Sequence, residues 1–280
     1  MPHCRKNAHH RYWSQRRKTH HQIAMISPVR IILGFGCCAW LFAAAIPARA
    51  AAAEVTDQQS IDGRALAQRL KNMRPIEQAQ LTGLLKTRDA KGRRVEWRAE
   101  FRTEVTATNW TSWYGAFRNP NINAATDTVV VIHAPGSPVH YRAAAAAVEP
   151  KNLAGPAAMI PFAESDFWLT DLGLEFFQWP AQRVIKRELR RGEACTVLES
   201  TNPNPSPGTY KRVVCWIDND TLGVVHADAY DHRDKLLKEF SPKRFKKIEG
   251  QWQLQEMEMR NVQTDTRTAI FFDVNAAPKP

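Results

Sequence analysis

The chain has 280 residues, with 39 Lys and Arg against 28 Asp and Glu, and a formal net charge of +11. A basic balance of this size often indicates nucleic-acid binding. Here the excess lies at the start, because residues 1–50 hold eight Lys and Arg and no acidic residue, which leaves +3 for residues 51–280. The charge therefore predicts no nucleic-acid partner.

The first 50 residues have the layout of an export signal. A basic region is followed by an apolar stretch over residues 31–46, and Pro-Ala-Arg-Ala follows at residues 47–50. This is the order of a Sec signal peptide, with small residues beside the cleavage site. A retained membrane anchor is the alternative, but the stretch is shorter than the roughly 18 apolar residues that a spanning helix needs. We predict cleavage near Ala50 and a periplasmic mature protein.

Three segments are predicted along the chain. Residues 1–50 are the leader with its signal peptide, residues 51–59 are a flexible tail, and residues 60–275 are a single domain. One β sandwich or barrel commonly has this length. The start of translation is open between Met1 and Met25, because Met25 would begin a signal of more ordinary length.

Hydrophobic periodicity predicts one helix followed by many strands. A helix is expected over residues 60–73, where apolar residues recur at near-helical spacing. Residues 94–105 then alternate strictly, with Val95, Trp97 and Phe101 on one face and only Arg and Glu on the other. Short turns between the strands indicate an antiparallel meander. The ten further predicted strands are 81–87, 108–117, 128–133, 184–190, 194–200, 211–218, 223–230, 235–247, 251–262 and 267–274.

Residues 135–180 interrupt this meander. They contain several prolines and a run of large apolar side chains that is more hydrophobic than a surface loop requires. We expect short helices and loops that lie across the sheet.

Two cysteines follow the leader, Cys195 and Cys215. They flank a loop over residues 202–208 whose centre is Pro205, so a symmetric hairpin would set them opposite each other within disulfide range. Because exported proteins meet an oxidising compartment, we predict a disulfide between them. Two buried free thiols are the alternative.

One cluster of residues has the chemistry of metal ligands: His226, Asp228, Asp231, His232 and Asp234. The favoured interpretation is a strand that ends in a solvated turn, where Asp side chains bind their own backbone. The sequence also lacks the motifs of α/β-hydrolases, zinc proteases and phosphate-binding loops. We therefore predict no metal, no cofactor and no catalysis, with a hydrolase or metal enzyme built on His226 and Asp231 as an alternative.

Several short segments follow one another in a characteristic order. They are Ser165-Asp166-Phe167, Asp171-Leu172, a strand ending in Cys195, Val214-Cys215-Trp216-Ile217-Asp218, Ala229-Tyr230-Asp231, Lys235-Leu236-Leu237-Lys238, Gly250-Gln251-Trp252, Met257-Glu258-Met259-Arg260-Asn261 and Arg267-Thr268. In this order they resemble the outer-membrane lipoprotein-sorting protein family, with a similarity that extends from about residue 61 to residue 274 and is strongest after residue 162. The resemblance implies a mainly β (α+β) fold, an unclosed antiparallel β-barrel with a helical lid over its mouth and an apolar cavity between them.

The resemblance implies a periplasmic carrier or binding protein for acylated cargo, such as a lipoprotein, a lipid or a similar amphiphile. It implies a hydrophobic or acylated ligand, lipoproteins among the candidates, and an inner-membrane transporter as a candidate partner. An envelope interaction or sensor module with a filled barrel is the alternative, and an open or filled interior distinguishes the two. The candidate cavity residues are Val95, Trp97, Phe101, Phe167, Leu172, Phe176, Trp216 and Met257.

Overall fold

The fold is taken from a computed structural model. Residues 1–47, which hold most of the predicted leader and both candidate start methionines, lie outside the described part. Within that part, no helix has the length and apolar character needed to cross a bilayer. The structure describes residues 48–75, 77–119, 121, 125–134, 136–145, 149–248 and 251–274.

A long helix, α1 (Ala48–Asn72), precedes the sheet. The expectation of a flexible tail over residues 51–59 is wrong, because these residues are helical. The start of the helix is rich in Ala, the residue with the highest helix propensity. Its side chains Ala67 and Leu70 are buried, so the last turns of α1 pack on the body of the protein.

In the described part of the chain, thirteen strands follow this helix and form one antiparallel sheet. All eleven predicted strands are present, and the bounds of the clearest one agree with those predicted. The strands are β1 (Ala79–Arg88), β2 (Arg94–Val105), β3 (Trp110–Phe117), β4 (Asp127–His133), β5 (His140–Ala145), β6 (Lys151–Leu153), β7 (Ala181–Arg190), β8 (Glu193–Thr201), β9 (Tyr210–Asp218), β10 (Val224–Asp231), β11 (Leu236–Ile248), β12 (Gln251–Asn261) and β13 (Thr266–Phe272).

Strands β5 and β6 lie where helices and loops were expected. The alanines after Tyr141 favour a helix by propensity. However, Tyr141 is 1% exposed and packs in one cluster with Val129 and Val131 of β4, and β5 pairs with β4 along its length. Packing against the sheet therefore outweighs local propensity here.

The strand order explains why a long segment crosses the sheet. The order is β6-β5-β4-β3-β2-β1-β13-β12-β11-β10-β9-β8-β7, so β1 pairs with β13 while β6 and β7 are the two edges. The chain must therefore pass from one edge to the other between β6 and β7. We call residues 154–180 the crossing segment. It contains a 3-10 turn (Gly155–Ala158), helix α2 (Leu169–Leu172) and a second 3-10 turn (Glu175–Gln178).

The crossing segment packs on one face of the sheet, which we call the inner face. Trp97 and Phe101 of β2 lie on this face and are buried with Phe162 and Phe167 of the crossing segment. The predicted alternation of β2 is thus confirmed, although Val95 at its start is 41% exposed. A second buried cluster on the other half joins α1, the crossing segment and strands β8 to β10.

Helix α1 lies directly against the edge strand β7. At Gly63 an added Cβ atom would lie 2.5 Å from the backbone of Gln182 and Arg183. Only glycine permits this approach of helix to strand. As a result, α1 covers part of the unpaired edge of β7, the kind of edge that otherwise invites pairing with another chain.

The predicted disulfide is wrong, because the register of the β8–β9 hairpin differs from the symmetric one assumed. Cys195 lies opposite Asp218, and Cys215 lies opposite Leu198. The two cysteines therefore project from opposite faces of the sheet, and both are free and buried. Thiols on opposite faces cannot approach within bonding distance.

The geometry of the loop accounts for this register. Asn202 donates its backbone N–H to Lys211, and Thr209 donates its own to Ser206, so the loop closes around the Ser206–Thr209 turn. The centre of the hairpin consequently falls after Pro205. The register therefore differs by three residues from the symmetric one, because Cys195 pairs with Asp218 and not with Cys215. A shift by an odd number of residues moves the opposing side chain to the other face of the sheet.

Candidate functional site

An apolar cavity of about 360 Å³ lies between the inner face and the crossing segment. Strands β9 to β12 form most of its wall, and the crossing segment covers it. Leu174 and Phe245 border it while 44% and 54% exposed, so they mark its mouth. The wall consists of Tyr114, Phe167, Asp171, Leu172, Leu174, Phe176, Val213, Gly223, Val224, Ala227, Ala229, Lys238, Phe240, Pro242, Phe245, Leu254, Met257 and Met259.

Four of the eight predicted cavity residues lie in this wall: Phe167, Leu172, Phe176 and Met257. Trp97 and Phe101 are buried beside it, in the part of the inner face that the crossing segment fills.

Two of the predicted cavity residues lie elsewhere. Val95 lies near the exposed end of β2. The assignment of Trp216 is wrong, because it packs on the outer face with Cys195, Val197 and Val214. Its indole N–H donates to Glu188 there.

Sequence reasoning missed the polar feature of the cavity, a buried ion pair. Lys238 Nζ on β11 lies 3.3 Å from Asp171 Oδ2 on α2, and their side chains are 1% and 8% exposed. Lys238 shares its side of β11 with Phe240, which also lines the cavity. A lysine at an inward position of an alternating strand was the available signal.

Aromatic rings enclose the lysine of this pair. Trp168 and Tyr210 stack with ring centroids 4.4 Å apart, and Lys238 Nζ lies 3.7 Å from the Trp168 ring and 5.3 Å from the Tyr210 ring. Such faces attract a cation. Burial lowers the pKa of Lys238 to about 8, and the neighbouring Asp171 opposes this shift.

Asp171 has further donors besides the lysine. The Tyr210 hydroxyl donates to its two oxygens at 3.0 and 3.1 Å, and the backbone N–H of Trp168 donates to Oδ2 at 2.8 Å. Burial and the Asp171 carboxylate raise the pKa of Tyr210 well above its usual value. Asp171 thereby joins the crossing segment to two strands of the wall.

A second anchor holds the crossing segment to β13. Thr268 donates its hydroxyl to Asp166 at 2.8 Å and accepts the backbone N–H of Asp166 at 2.9 Å. Three residues on either side of the two anchors have left-handed backbone, since the φ values of Ala163, Glu164 and Leu174 are 49°, 55° and 49°. Left-handed backbone at residues other than glycine costs about 1–3 kcal/mol each, so contacts with the sheet must hold this conformation.

A larger and more polar cavity, about 710 Å³, lies near the end of α1. Trp110 stacks on His133 with centroids 3.7 Å apart, and burial lowers the pKa of His133 to about 4. Glu175 of the crossing segment also lines this cavity, and burial raises the pKa of its carboxyl group. Its mixed wall contrasts with the apolar wall of the smaller cavity.

The predicted histidine and aspartate cluster divides into two parts. His226 is buried on the outer face, with its ring nitrogens 2.7 Å from Asp228 and 3.1 Å from the Ser241 hydroxyl. Both nitrogens therefore belong to a buried polar network. Asp231 and Asp234 lie in the following turn, where Asp231 accepts backbone N–H groups. Across the described ranges, no group of three or more His, Cys, Asp or Glu is placed to hold a metal.

Comparisons with known proteins agree with this architecture. A family model described as an uncharacterized protein matches residues 145–275. A search of curated proteins gives no match. A DUF1329 family protein from Desulfovibrio piger is 20% identical with a TM-score of 0.64, and the match covers 77% of this chain and 92% of that protein.

Two further solved structures are named for lipoprotein sorting. A putative outer membrane lipoprotein-sorting protein domain from Vibrio parahaemolyticus is 17% identical with a TM-score of 0.64, covering 78% of this chain and 92% of its own. A LolA superfamily protein from Nitrosomonas europaea is 14% identical with a TM-score of 0.55, covering 78% and 93%. The chain therefore has the fold of the outer membrane lipoprotein-sorting domains, an unclosed antiparallel β-barrel, as its sequence resemblance predicted.

Proposed function

We propose that this protein is a periplasmic carrier or binding protein that holds an acyl chain of an amphiphilic ligand, without catalysis. The observation that carries the proposal is the open apolar cavity between the sheet and the crossing segment. A single segment covers this cavity, and two polar anchors hold that segment to the sheet. A ligand could enter when those anchors open.

Burial of an acyl chain against the apolar wall would supply the main favourable free energy of binding. Each buried methylene contributes about 0.8 kcal/mol, so ten methylenes contribute about 8 kcal/mol before the cost of association. Both sides of the cavity are apolar. Val213 and Ala227 line it from the strands, and Leu172 and Phe176 line it from the crossing segment. An acyl chain would be surrounded by apolar groups on both sides.

A carrier is favoured over an interaction or sensor module with a filled barrel, because side chains fill only part of the space on the inner face. Trp97 and Phe101 occupy one half together with Phe167. The half built by β9 to β12 has small side chains such as Ala227 and Ala229 that leave volume beneath the crossing segment. A barrel whose role is only interaction would have no need of this volume.

The leader and the fold support export to the periplasm and an acylated cargo. The basic and apolar order of residues 1–50 supports transport to the periplasm, with cleavage near Ala50. Lipoproteins and an inner-membrane transporter are candidate partners, since similar structures are named for lipoprotein sorting.

The test is to fill the cavity and measure the binding of an uncharged fluorescent apolar probe, N-phenyl-1-naphthylamine. Ala227→Trp places a large side chain in the cavity and should reduce probe binding at least tenfold. Glu96→Trp adds the same side chain to the exposed outer face of β2 and should leave binding unchanged. Equal binding by wild type and Ala227→Trp, with both variants folded by circular dichroism, would contradict the proposal.

A further inference from the structure

We propose that the cavity selects an amphiphile with one acyl chain and an anionic head group, which replaces Asp171 as the partner of Lys238 and releases the crossing segment. A fatty-acid carboxylate is the simplest ligand of this class. The inference rests on the proposed function, because it specifies the ligand of the same cavity.

The hydrogen-bonding capacity of the ion pair indicates the charge of the ligand. Asp171 already accepts from Trp168, Tyr210 and Lys238. An ammonium group has three N–H donors, whereas among the described residues Lys238 donates to one acceptor, Asp171. The wall therefore has donors to offer and little acceptor capacity, and this favours a head group with anionic oxygens.

Displacement of the crossing segment makes this preference stronger. When the segment lifts, Lys238 loses the carboxylates of Asp171 and Asp166 and the ring of Trp168, because all three belong to that segment, whereas the ring of Tyr210 on β9 stays beside it. A buried charge without a partner is strongly destabilising. An anionic head group keeps Lys238 paired while Asp171 moves into water. A neutral head group leaves the lysine unpaired, so it cannot open the segment without that cost.

The volume of the cavity favours one acyl chain. At about 360 Å³ it lies near the lower end of the range of about 300–1,000 Å³ that is typical of sites for single small ligands. One chain of moderate length is therefore the ligand that this cavity suits best.

The experiment compares three head groups on one chain length by titration calorimetry at pH 7, using decanoate, decanol and decyltrimethylammonium. We expect wild type to bind decanoate about tenfold more tightly than decanol, which is about 1.4 kcal/mol, and to bind the ammonium compound most weakly. Lys238→Met should remove the preference for decanoate while retaining decanol binding. Lys243→Met is the matched control, since Lys243 lies on the same strand, pairs with Glu258 and is absent from the cavity wall.

Hydrogen exchange tests the release of the crossing segment. Decanoate should increase amide exchange in residues 166–173 of wild type, whereas decanol should not. Slower exchange with decanoate would overturn the release step.

Each calorimetric outcome has a distinct meaning. Equal binding of decanoate and decanol by wild type, or tighter binding of the ammonium compound, would overturn the head-group selectivity and leave the carrier function standing. Binding of none of the three compounds would overturn both. The comparison on wild type decides the question even if Lys238→Met fails to fold.

Discussion

Lys238 Nζ lies 3.3 Å from Asp171 Oδ2, so a wall strand and the crossing segment meet in a buried ion pair. This pair lies beside the apolar cavity and is enclosed by two aromatic rings. In the proposed mechanism, breaking this pair changes both the stability of the protein and access to the cavity.

Asp171→Asn should destabilise the protein by about 3 kcal/mol, because it leaves Lys238 buried without its anion. Urea unfolding followed by fluorescence measures the change. Asp265→Asn is the control, since this carboxylate is 60% exposed in its pair with Arg260, and the change should stay within about 0.5 kcal/mol. Equal effects of both substitutions would show that the buried pair contributes no more than an exposed one.

Stability should rise with pH between about 8 and 10 in wild type relative to Lys238→Met. Burial lowers the pKa of Lys238 to about 8 from its usual 10.5, so the unfolded chain binds more protons over this interval. The penalty for the buried charge is fully present below pH 8 and is relieved as pH rises. Urea midpoints of both proteins from pH 7 to pH 10 measure this, and a difference that stays constant or falls would contradict it.

Cargo binding or folding should depend on the inner face of β2. Trp97 is 3% exposed in the core, so Trp97→Asp places an unpaired charge among apolar groups and should abolish one or both. Glu96→Ala, on the outer face, should have little effect because its pair with Lys86 is exposed. Probe binding and circular dichroism report the two properties, and similar behaviour of both variants would refute the assignment of faces.

Cys195 and Cys215 should remain free in the exported protein. Both are buried on opposite faces of the sheet, and burial raises the pKa of the Cys215 thiol, which slows its reaction. A thiol reagent should modify neither quickly in the native state and both in guanidinium. A non-reducing peptide map that joins the two would contradict the register of β8 and β9.

Processing of the leader is a separate prediction. N-terminal sequencing of the protein from the envelope fraction should begin close to Ala50, after the small residues that follow the apolar stretch. A mature protein that begins before residue 31 and stays in the inner membrane is the result that counts against a soluble carrier.

The sequence predicts the half-exposed strands well and the fully buried ones poorly. Strand β2 has one charged face, so its period of two is clear. Residues 213–217 of β9 are all buried, on both faces, so alternation carries no information there. The sequence therefore does not reveal that Trp216 lies on the outer face.

The buried ion pair of the site could not be predicted from local sequence patterns. Asp171 and Lys238 are 67 positions apart, and only the crossing of the chain between the two sheet edges brings them together. The apolar residues of the crossing segment were found because their hydrophobicity is a local property. Their ionic partner depends on topology, which a single sequence does not display.

The most direct test of the account is to identify what the protein carries when it is purified from the envelope without detergent. Lipid extraction and mass spectrometry should find about one acyl chain per wild-type protein, and much less with Ala227→Trp, whose added side chain occupies the cavity. An absence of acylated molecules from wild type, or the same amount with both proteins, would contradict the claim that this cavity binds an acyl chain.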